Sequence, residues 1–446
     1  MCFPMNLLYS ILFAVWLVAS APVWIWQRLR HGKHQGVWER LGAAPGKLAS
    51  SSKPAIWVHA VSVGEVLAIT PVVEALKTRY PGFRVVVSTV TDTGQRLARQ
   101  RLGDRDVFYF PLDFAFAVRN YVRVLRPALV IVAETEFWPN FLRVVKRSGA
   151  KIAVVNARIS DRSFPGYRRV RPVLKHVLKN IDVFLAQSAQ DRERLIAIGA
   201  AAERVHVSGN LKFDLTPQST PALLGRVRQA LDLGSAGPLL VCGSTAEGEE
   251  ALLVDAFRQV LTKYDDAVMV LAPRHPERFS QVARVLESSE VKFWRRSQWK
   301  DEPLAGGIFL LDSIGELAAI YELADIAFVG GSLVPRGGHN ILEPARAGVA
   351  TIVGPHTENF RDIVNLFLRE GGVRVVTIET VGATFTELLE NDSERSKLGS
   401  TAAGIFAANS GAKERTMAVL DEVIGAHLPV TEVDGEAAPM AGSRRV

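Results

Sequence analysis

The chain has 446 residues, 48% of them hydrophobic, and a net charge of +7. At roughly 150 residues per domain this is enough for two or three hydrophobic cores, which excludes a small binding module and a disordered chain. The two cysteines, Cys2 and Cys242, exclude a disulfide scaffold and suit a reducing compartment; no cysteine pair or H-E-x-x-H spacing offers a zinc site, so no metal is expected.

The first element is apolar. Met5 to Trp26 contains no charged residue, and at about 1.5 Å per residue roughly 20 such residues cross a hydrocarbon core of about 30 Å. No Lys or Arg precedes the segment and no small-residue cleavage site follows it, which argues against a signal peptide. The flank Arg28-Leu-Arg30-His-Gly-Lys33 places the rest of the chain in the cytoplasm, with Trp24 and Trp26 near the interface. Residues 1–30 are therefore expected to form an uncleaved membrane anchor. Pro22 and the short length leave spanning the bilayer and lying in its interface both open.

Short apolar runs then alternate with helical patterns: Ala55 to His59, Arg84 to Thr89, Val107 to Phe110, Leu129 to Ala133, Ile152 to Val155, Val183 to Ala186 and Val205 to Val207. This rhythm predicts a parallel sheet with helices on both faces. Residues 214–221, with two prolines, read as a linker. The alternation restarts at Leu239 to Cys242, Val268 to Ala272, Ile308 to Leu311, Ile326 to Val329, Thr351 to Val353 and Val373 to Thr377. The expected fold class is α/β, with two facing doubly wound, Rossmann-like domains over 31–213 and 222–427. Such domains bind ligands at the carboxyl ends of their strands, so a cleft between the two is expected. Residues 428–446 are expected to be disordered. Arg158, Arg162, Arg168, Arg169, Arg171, Lys175 and Lys179 form a basic stretch suited to anionic lipid head groups, or simply to a solvated helix face. No stacking or zinc motif points to nucleic acid.

Chemistry concentrates at strand ends. Trp57-Val-His-Ala-Val-Ser-Val-Gly-Glu65 puts an acid at a helix start, where it is available as a proton acceptor, capping of that helix being the plainer role. Ala133-Glu-Thr-Glu-Phe-Trp-Pro-Asn140 ends a strand on two acids; only one of Glu134 and Glu136 need be functional, since alternate strand positions face opposite sides. Lys212 follows in Ser208-Gly-Asn-Leu-Lys-Phe-Asp214. In the second half, Arg274 of Leu271-Ala-Pro-Arg-His-Pro276 can grip a phosphate or carboxylate with two parallel hydrogen bonds and is preferred to His275. Cys242-Gly-Ser-Thr245 adds small donors at the neighbouring strand end. The run Phe328-Val-Gly-Gly-Ser-Leu-Val-Pro-Arg-Gly-Gly-His-Asn-Ile-Leu-Glu-Pro-Ala345 places glycines between a strand and a helix expected over Asn340 to Ala347. Backbone N–H groups there can approach a phosphate closely, and Glu343 can accept from two ribose hydroxyls. A glycine-rich connection that merely turns the chain is the plainer alternative.

Together, Ser62-Val-Gly-Glu65, Glu134-Thr-Glu-Phe-Trp-Pro-Asn140, Asn156-Ala-Arg-Ile-Ser160, Gly209-Asn-Leu-Lys-Phe-Asp214, Pro273-Arg-His275 and Gly330-Gly-Ser with Gly-Gly-His-Asn340 and Glu343 resemble the 3-deoxy-D-manno-octulosonic acid (Kdo) transferases of Gram-negative bacteria. The resemblance runs from the apolar segment to about Asp362. It implies a GT-B glycosyltransferase that moves Kdo from CMP-Kdo onto a lipid A precursor, lipid IVA, at the cytoplasmic face of the inner membrane. It further implies that Glu65 is the base, that Glu134 and Lys212 support the transition state, and that CMP contacts Pro273, Arg274, Ile314, Gly315, Glu316, Asn340, Ile341, Leu342 and Glu343. Departing CMP is expected to be stabilised by backbone donors of the loop from Gly330 to Gly338, a helix N-terminus and a cation, without a metal. The rivals are a GT-B enzyme using a UDP-sugar and a noncatalytic lipid-binding assembly protein. Acids at strand ends argue against the second. A dinucleotide-dependent oxidoreductase lacks the G-x-G-x-x-G fingerprint after the first strand.

Overall fold

The computed structural model describes residues 3–31, 36–215 and 221–425, except for the side chains of 3–6, 23–25, 27–31 and 221. The basic flank at Arg28, Arg30 and Lys33, most of the expected linker, and the expected disordered tail lie outside the described side chains or residues. Two compact units emerge, Met1–Leu215 with Gly411–Val446, and Thr216–Ser410.

The first unit holds strands β1 (Ala55–His59), β2 (Arg84–Thr89), β3 (Val107–Tyr109), β4 (Pro127–Ala133), β5 (Lys151–Ala157), β6 (Val183–Ala186) and β7 (Val205–Val207). They pair in parallel in the order β3-β2-β1-β4-β5-β6-β7. Helices cover both faces, so the strands read as continuous apolar runs and alternate residues feed opposite cores. On β1, Trp57 packs with Val130, Val132 and Phe141 on one side, whereas Ile56 and Val58 meet Val66, Ile69 and Leu76 on the other. Trp57 is fully buried, and its indole N–H donates to Ser88 Oγ at 2.7 Å. The chain leaves β1 toward β2 on one side and returns as β4 on the other, which makes the β1/β4 boundary the switch point of this sheet.

The second unit repeats the plan with β8 (Leu239–Thr245), β9 (Val268–Pro273), β10 (Phe293–Arg295), β11 (Gly307–Leu310), β12 (Ile326–Val329), β13 (Ala350–Val353) and β14 (Arg374–Val375). Their order is β10-β11-β9-β8-β12-β13-β14, again parallel throughout, and the switch point lies between β8 and β12. Strand β10, only half-buried at the sheet edge, was not among the expected strands; its sequence Phe-Trp-Arg is too short to show a period.

The domain boundary differs from the expected one. After Ser410 the helix Ala412–Gly425 returns to the first unit, where Ala412, Met417, Leu420 and Ile424 join the core of Ile56 and Val58. Asp214 fastens its start, accepting from the backbone N–H groups of Gly411 at 2.7 Å and Lys413 at 2.5 Å. The second domain thus ends at 410 instead of 427, and Asp214 is part of the first unit's frame. An amphipathic helix carries no sequence mark of which core it joins.

The N-terminal helix, Phe3–His31, contains Pro22. Among the described residues no helix is long and apolar enough to cross a membrane. One side docks on the first unit: Ser10 Oγ accepts from Asn140 Nδ2 at 3.0 Å, Phe13 lies 5.3 Å from Phe114 and 6.5 Å from Trp138, and the Tyr9 hydroxyl donates to Asp113. On the other side Leu7, Leu8, Ile11, Leu12, Val15, Trp16 and Val18 are each more than half exposed.

Candidate active site

The acids of the first unit gather at the β1/β4 switch point. Glu65 lies in the first turn of the helix Val63–Arg79, whose N-cap is Ser62. Its carboxylate accepts from the Ser62 hydroxyl at 2.9 Å and from the Val61 N–H at 2.8 Å, while Ser62 Oγ accepts from the Glu65 N–H. Glu65 therefore performs the capping role that was its plainer reading. It is also buried, at 8% exposed, and burial pushes its carboxyl up to about 7, with the negative charges of Glu134 and Glu136 pushing the same way against the two hydrogen bonds. A cap needs no such acid cluster, and a proton acceptor working near neutrality is served by it.

Glu134 and Glu136 do not obey the expected alternation. Strand β4 stops at Ala133, and Glu134 takes the left-handed backbone conformation with φ 55° while its N–H donates to Val155 O at 2.9 Å. The turn leaves both charges acting on Glu65. Burial raises the Glu136 carboxyl, helped by the charge of Glu134. On β5, Asn156 is likewise left-handed, at φ 53°, and its side-chain carbonyl accepts from Leu211 N–H at 3.0 Å. Non-glycine residues in this region are rare and collect at functional sites. Asn156 thereby fixes the 3-10 turn Leu211–Asp214 that carries Lys212, and this turn packs against the helix of Glu65. Helix Pro139–Arg147, which follows the acidic turn, is capped from a distance by Asp113, whose carboxylate accepts from the N–H groups of Asn140 and Phe141 at 3.1 and 2.6 Å.

In the second unit, Arg274 follows β9, and the segment from His339 to Glu343 follows β12 beyond the glycine loop. These groups are close enough to perturb one another. Burial pushes the His339 imidazole down to about 4, with the Arg274 and His275 charges acting in the same direction, so His339 is neutral near pH 7. Burial raises the Glu343 carboxyl, opposed by a hydrogen bond from Asn340 Nδ2 at 3.4 Å and by the charge of Arg274. The helix bearing Glu343 is shorter than expected, Leu342–Arg346, and Asn340 Oδ1 accepts from the Leu342 N–H at 3.2 Å. Pro273 is the last residue of β9, and Ile314, Gly315 and Glu316 follow β11, the strand beside it. Glu316 pairs with Arg296 at 3.0 Å and accepts from Ser313, while Ile314 is 65% exposed.

Part of the glycine loop is already engaged within the protein. The N–H groups of Gly331, Ser332 and Leu333 all donate to Glu249, at 2.7, 2.9 and 2.8 Å. Gly330 serves close packing within the unit, since a Cβ there would stand 2.6 Å from Thr245 Cα, and Gly354 after β13 lets the chain approach the loop, where a Cβ would stand 2.1 Å from Ser332 O. Among the described residues no group of three or more His, Cys, Asp or Glu could hold a metal ion.

Comparison with known proteins gives this geometry its family. Residues 35–215 match the family model described as 3-deoxy-D-manno-octulosonic-acid transferase (kdotransferase). The 3-deoxy-D-manno-octulosonic acid transferase of Haemophilus influenzae is 34% identical over 389 residues, 86% of this chain and 91% of that protein. The chain belongs to the Kdo transferase family. The transferase of the same description from Bordetella pertussis is 33% identical over 420 residues, 90% of this chain and 96% of that one. Two solved structures share the fold at low identity. UDP-GlcNAc 2-epimerase from Neisseria meningitidis bound to UDP-GlcNAc has a TM-score of 0.54 and 12% identity, covering 82% of this chain and 100% of its own. Acinetobacter baumannii MurG has a TM-score of 0.53 and 14% identity, covering 83% and 99%. The transferase is a glycosyltransferase of the GT-B fold.

Sequence reasoning passed over several groups that shape the transferase's two strand-end regions. Asn156 was visible only as part of a motif, and Asp113, Glu249 and Glu250 carried no signal at all. Each acts on backbone donors or side chains far away in sequence, which no local pattern announces.

Proposed function

We propose that this transferase moves Kdo from CMP-Kdo to a lipid A precursor, lipid IVA, in lipopolysaccharide biosynthesis, by an inverting displacement with Glu65 as the base. The observation that carries the reading is the Glu65 carboxyl, held near 7 beside Glu134 and Glu136 at the switch point of the first sheet. A sugar hydroxyl is far too weak an acid to be deprotonated beforehand, so its proton passes to Glu65 as the hydroxyl oxygen attacks the anomeric carbon and the bond to CMP breaks. Glu134 and Lys212 are proposed to support charge developing in that transition state. In the second unit, Arg274 supplies the cation for the donor's phosphate, because the N–H groups of Gly331, Ser332 and Leu333 are already engaged and His339 is neutral. Glu343 and Asn340 are left to accept and donate hydrogen bonds to the nucleoside, with Pro273 and Ile314 to Glu316 beside them. The residues of the site supply base, cation and hydrogen bonds, and no step in this reading calls on a metal.

We place the transferase on the cytoplasmic face of the inner membrane. The exposed apolar side of the N-terminal helix supports this, as do Arg162, Arg168, Arg169, Arg171, Lys175 and Lys179, which are exposed around the equally exposed Val170 and Val173. Substituting Glu65→Gln tests the mechanism. The variant is expected to bind CMP like the parent protein and to lose transfer by several orders of magnitude; retained turnover would assign the base elsewhere. Competition between CMP-Kdo and UDP-sugars separates this reading from a UDP-sugar transferase.

A further inference from the structure

Two consecutive glutamates at the start of the helix Glu249–Leu261 reach opposite sides of the donor region. Glu249 is fully buried. Its Oε2 accepts from the N–H groups of Ala246 at 2.8 Å and Gly331 at 2.7 Å, and its Oε1 from those of Ser332 at 2.9 Å and Leu333 at 2.8 Å. A carboxylate offers about four lone-pair sites, and all are filled by donors; burial raises the Glu249 carboxyl, and these four hydrogen bonds oppose it. Glu250 is 3% exposed; it accepts from Thr245 Oγ1 at 2.9 Å and takes the Arg278 guanidinium on both oxygens, at 2.6 and 3.0 Å. Arg278 lies four residues beyond Arg274 in the connection after β9, and Gly331 to Leu333 begin the connection after β12 that leads to His339, Asn340 and Glu343.

We propose that Glu249 is a positioning residue for donor binding: its carboxylate plugs the amide nest of the glycine loop, setting where His339 to Glu343 stand, while Glu250 fixes the Arg274 connection from the same helix turn. The proposal rests on the reading of the second unit as the donor site. A nest of backbone N–H groups ordinarily holds a ligand's phosphate or another free anion. Here a protein carboxylate holds that place permanently, so the loop is shaped before any ligand arrives and the donor's charge is met by side chains. Without Glu249 the three loop donors face one another unpaired in a buried site, and the loop must open to solvate them.

Binding of CMP, measured by titration calorimetry on the full chain, tests this. Glu249→Gln keeps the volume but turns an amide NH2 toward amide donors; it is expected to weaken CMP binding by about tenfold to a hundredfold, the range set by leaving a buried donor unpaired. Glu249→Asp, which keeps the charge with a shorter reach, is expected to fall between. Glu249→Ala is expected to bind poorly and to recover part of its affinity in formate, whose carboxylate fits the vacated nest, but not in chloride at equal ionic strength. If that variant fails to fold, the Gln and Asp variants carry the comparison. In transfer assays the loss is expected in the donor KM, with the pH limb set by Glu65 unmoved. A folded Glu249→Gln protein that binds CMP within about twofold of the parent overturns the proposal. Failure of the parent protein to bind CMP overturns the donor-site reading, and the proposal with it.

Discussion

Glu65 illustrates how one carboxylate holds two roles at once. It closes the first turn of its helix, and burial beside two further acids keeps its carboxyl near 7. As the proposed base, Glu65 must be deprotonated, so kcat/KM is expected to rise with pH through about 7 and level off above it. Because the charges of Glu134 and Glu136 raise that value, Glu134→Gln or Glu136→Gln is expected to move the rising limb to lower pH, whatever else it does to the maximum. A pH–rate profile of each variant checks this, and a limb that stays in place would mean that the three acids do not share one site. The stability linkage has the opposite sense. A carboxyl raised from 4.5 to about 7 binds more protons when folded, so its contribution to stability is present at acid pH and is lost as pH rises through about 7. Glu65, Glu134, Lys212 and Arg274 were legible in the sequence because each lies just beyond an apolar strand. Glu249 was not, since its partners Gly331, Ser332 and Leu333 are more than eighty residues away, as its hydrogen bonds record. Glycines before a helix do suggest a phosphate cradle, and only the structure shows the N–H groups of Gly331, Ser332 and Leu333 taken by Glu249.

At the scale of elements, the strands were the most readable part, because parallel strands buried on both faces must be continuously apolar. Helix allegiance was not readable. Ala412–Gly425 joins the first unit through its apolar side and through Asp214, which takes the two N–H groups at its start. Replacing Asp214 by Ala removes that cap and is expected to cost about 1 kcal/mol, with faster amide hydrogen exchange along 412–425. Unchanged exchange would show that packing alone holds the helix. Asp113 makes a harsher case, being buried and accepting from Asn140 and Phe141 at the start of the helix behind the acidic turn. Asp113→Asn points an NH2 at one of those donors and is expected to lower stability by about 1–3 kcal/mol, measured by denaturant unfolding. The alternation rule failed at Glu134 and Glu136 for a local reason: it applies within a strand, and the strand ends one residue earlier, at a left-handed turn.

For the whole molecule, composition and rhythm anticipated two Rossmann-like units, and the motifs anticipated the family that 34% identity to the Haemophilus influenzae protein demonstrates. The N-terminal segment is the part whose role the fold leaves to experiment. Its docked side carries Tyr9, Ser10 and Phe13, and the exposed residues from Leu7 to Ala19 are all apolar. Leu12→Glu together with Val15→Glu changes two exposed side chains away from Tyr9, Ser10 and Phe13 and is expected to release the protein from vesicles containing anionic lipid in a flotation assay. Flotation equal to that of the parent would remove this helix from the membrane contact. The account as a whole turns on the reaction. The measurement that tests it most directly is incubation of purified protein with CMP-Kdo and tetraacylated lipid A precursor, with products separated by mass, run beside Glu65→Gln. The account predicts that the parent adds Kdo to the lipid and the variant, with CMP binding intact, adds none. Equal transfer by both, or none by a folded parent that binds CMP, would contradict it.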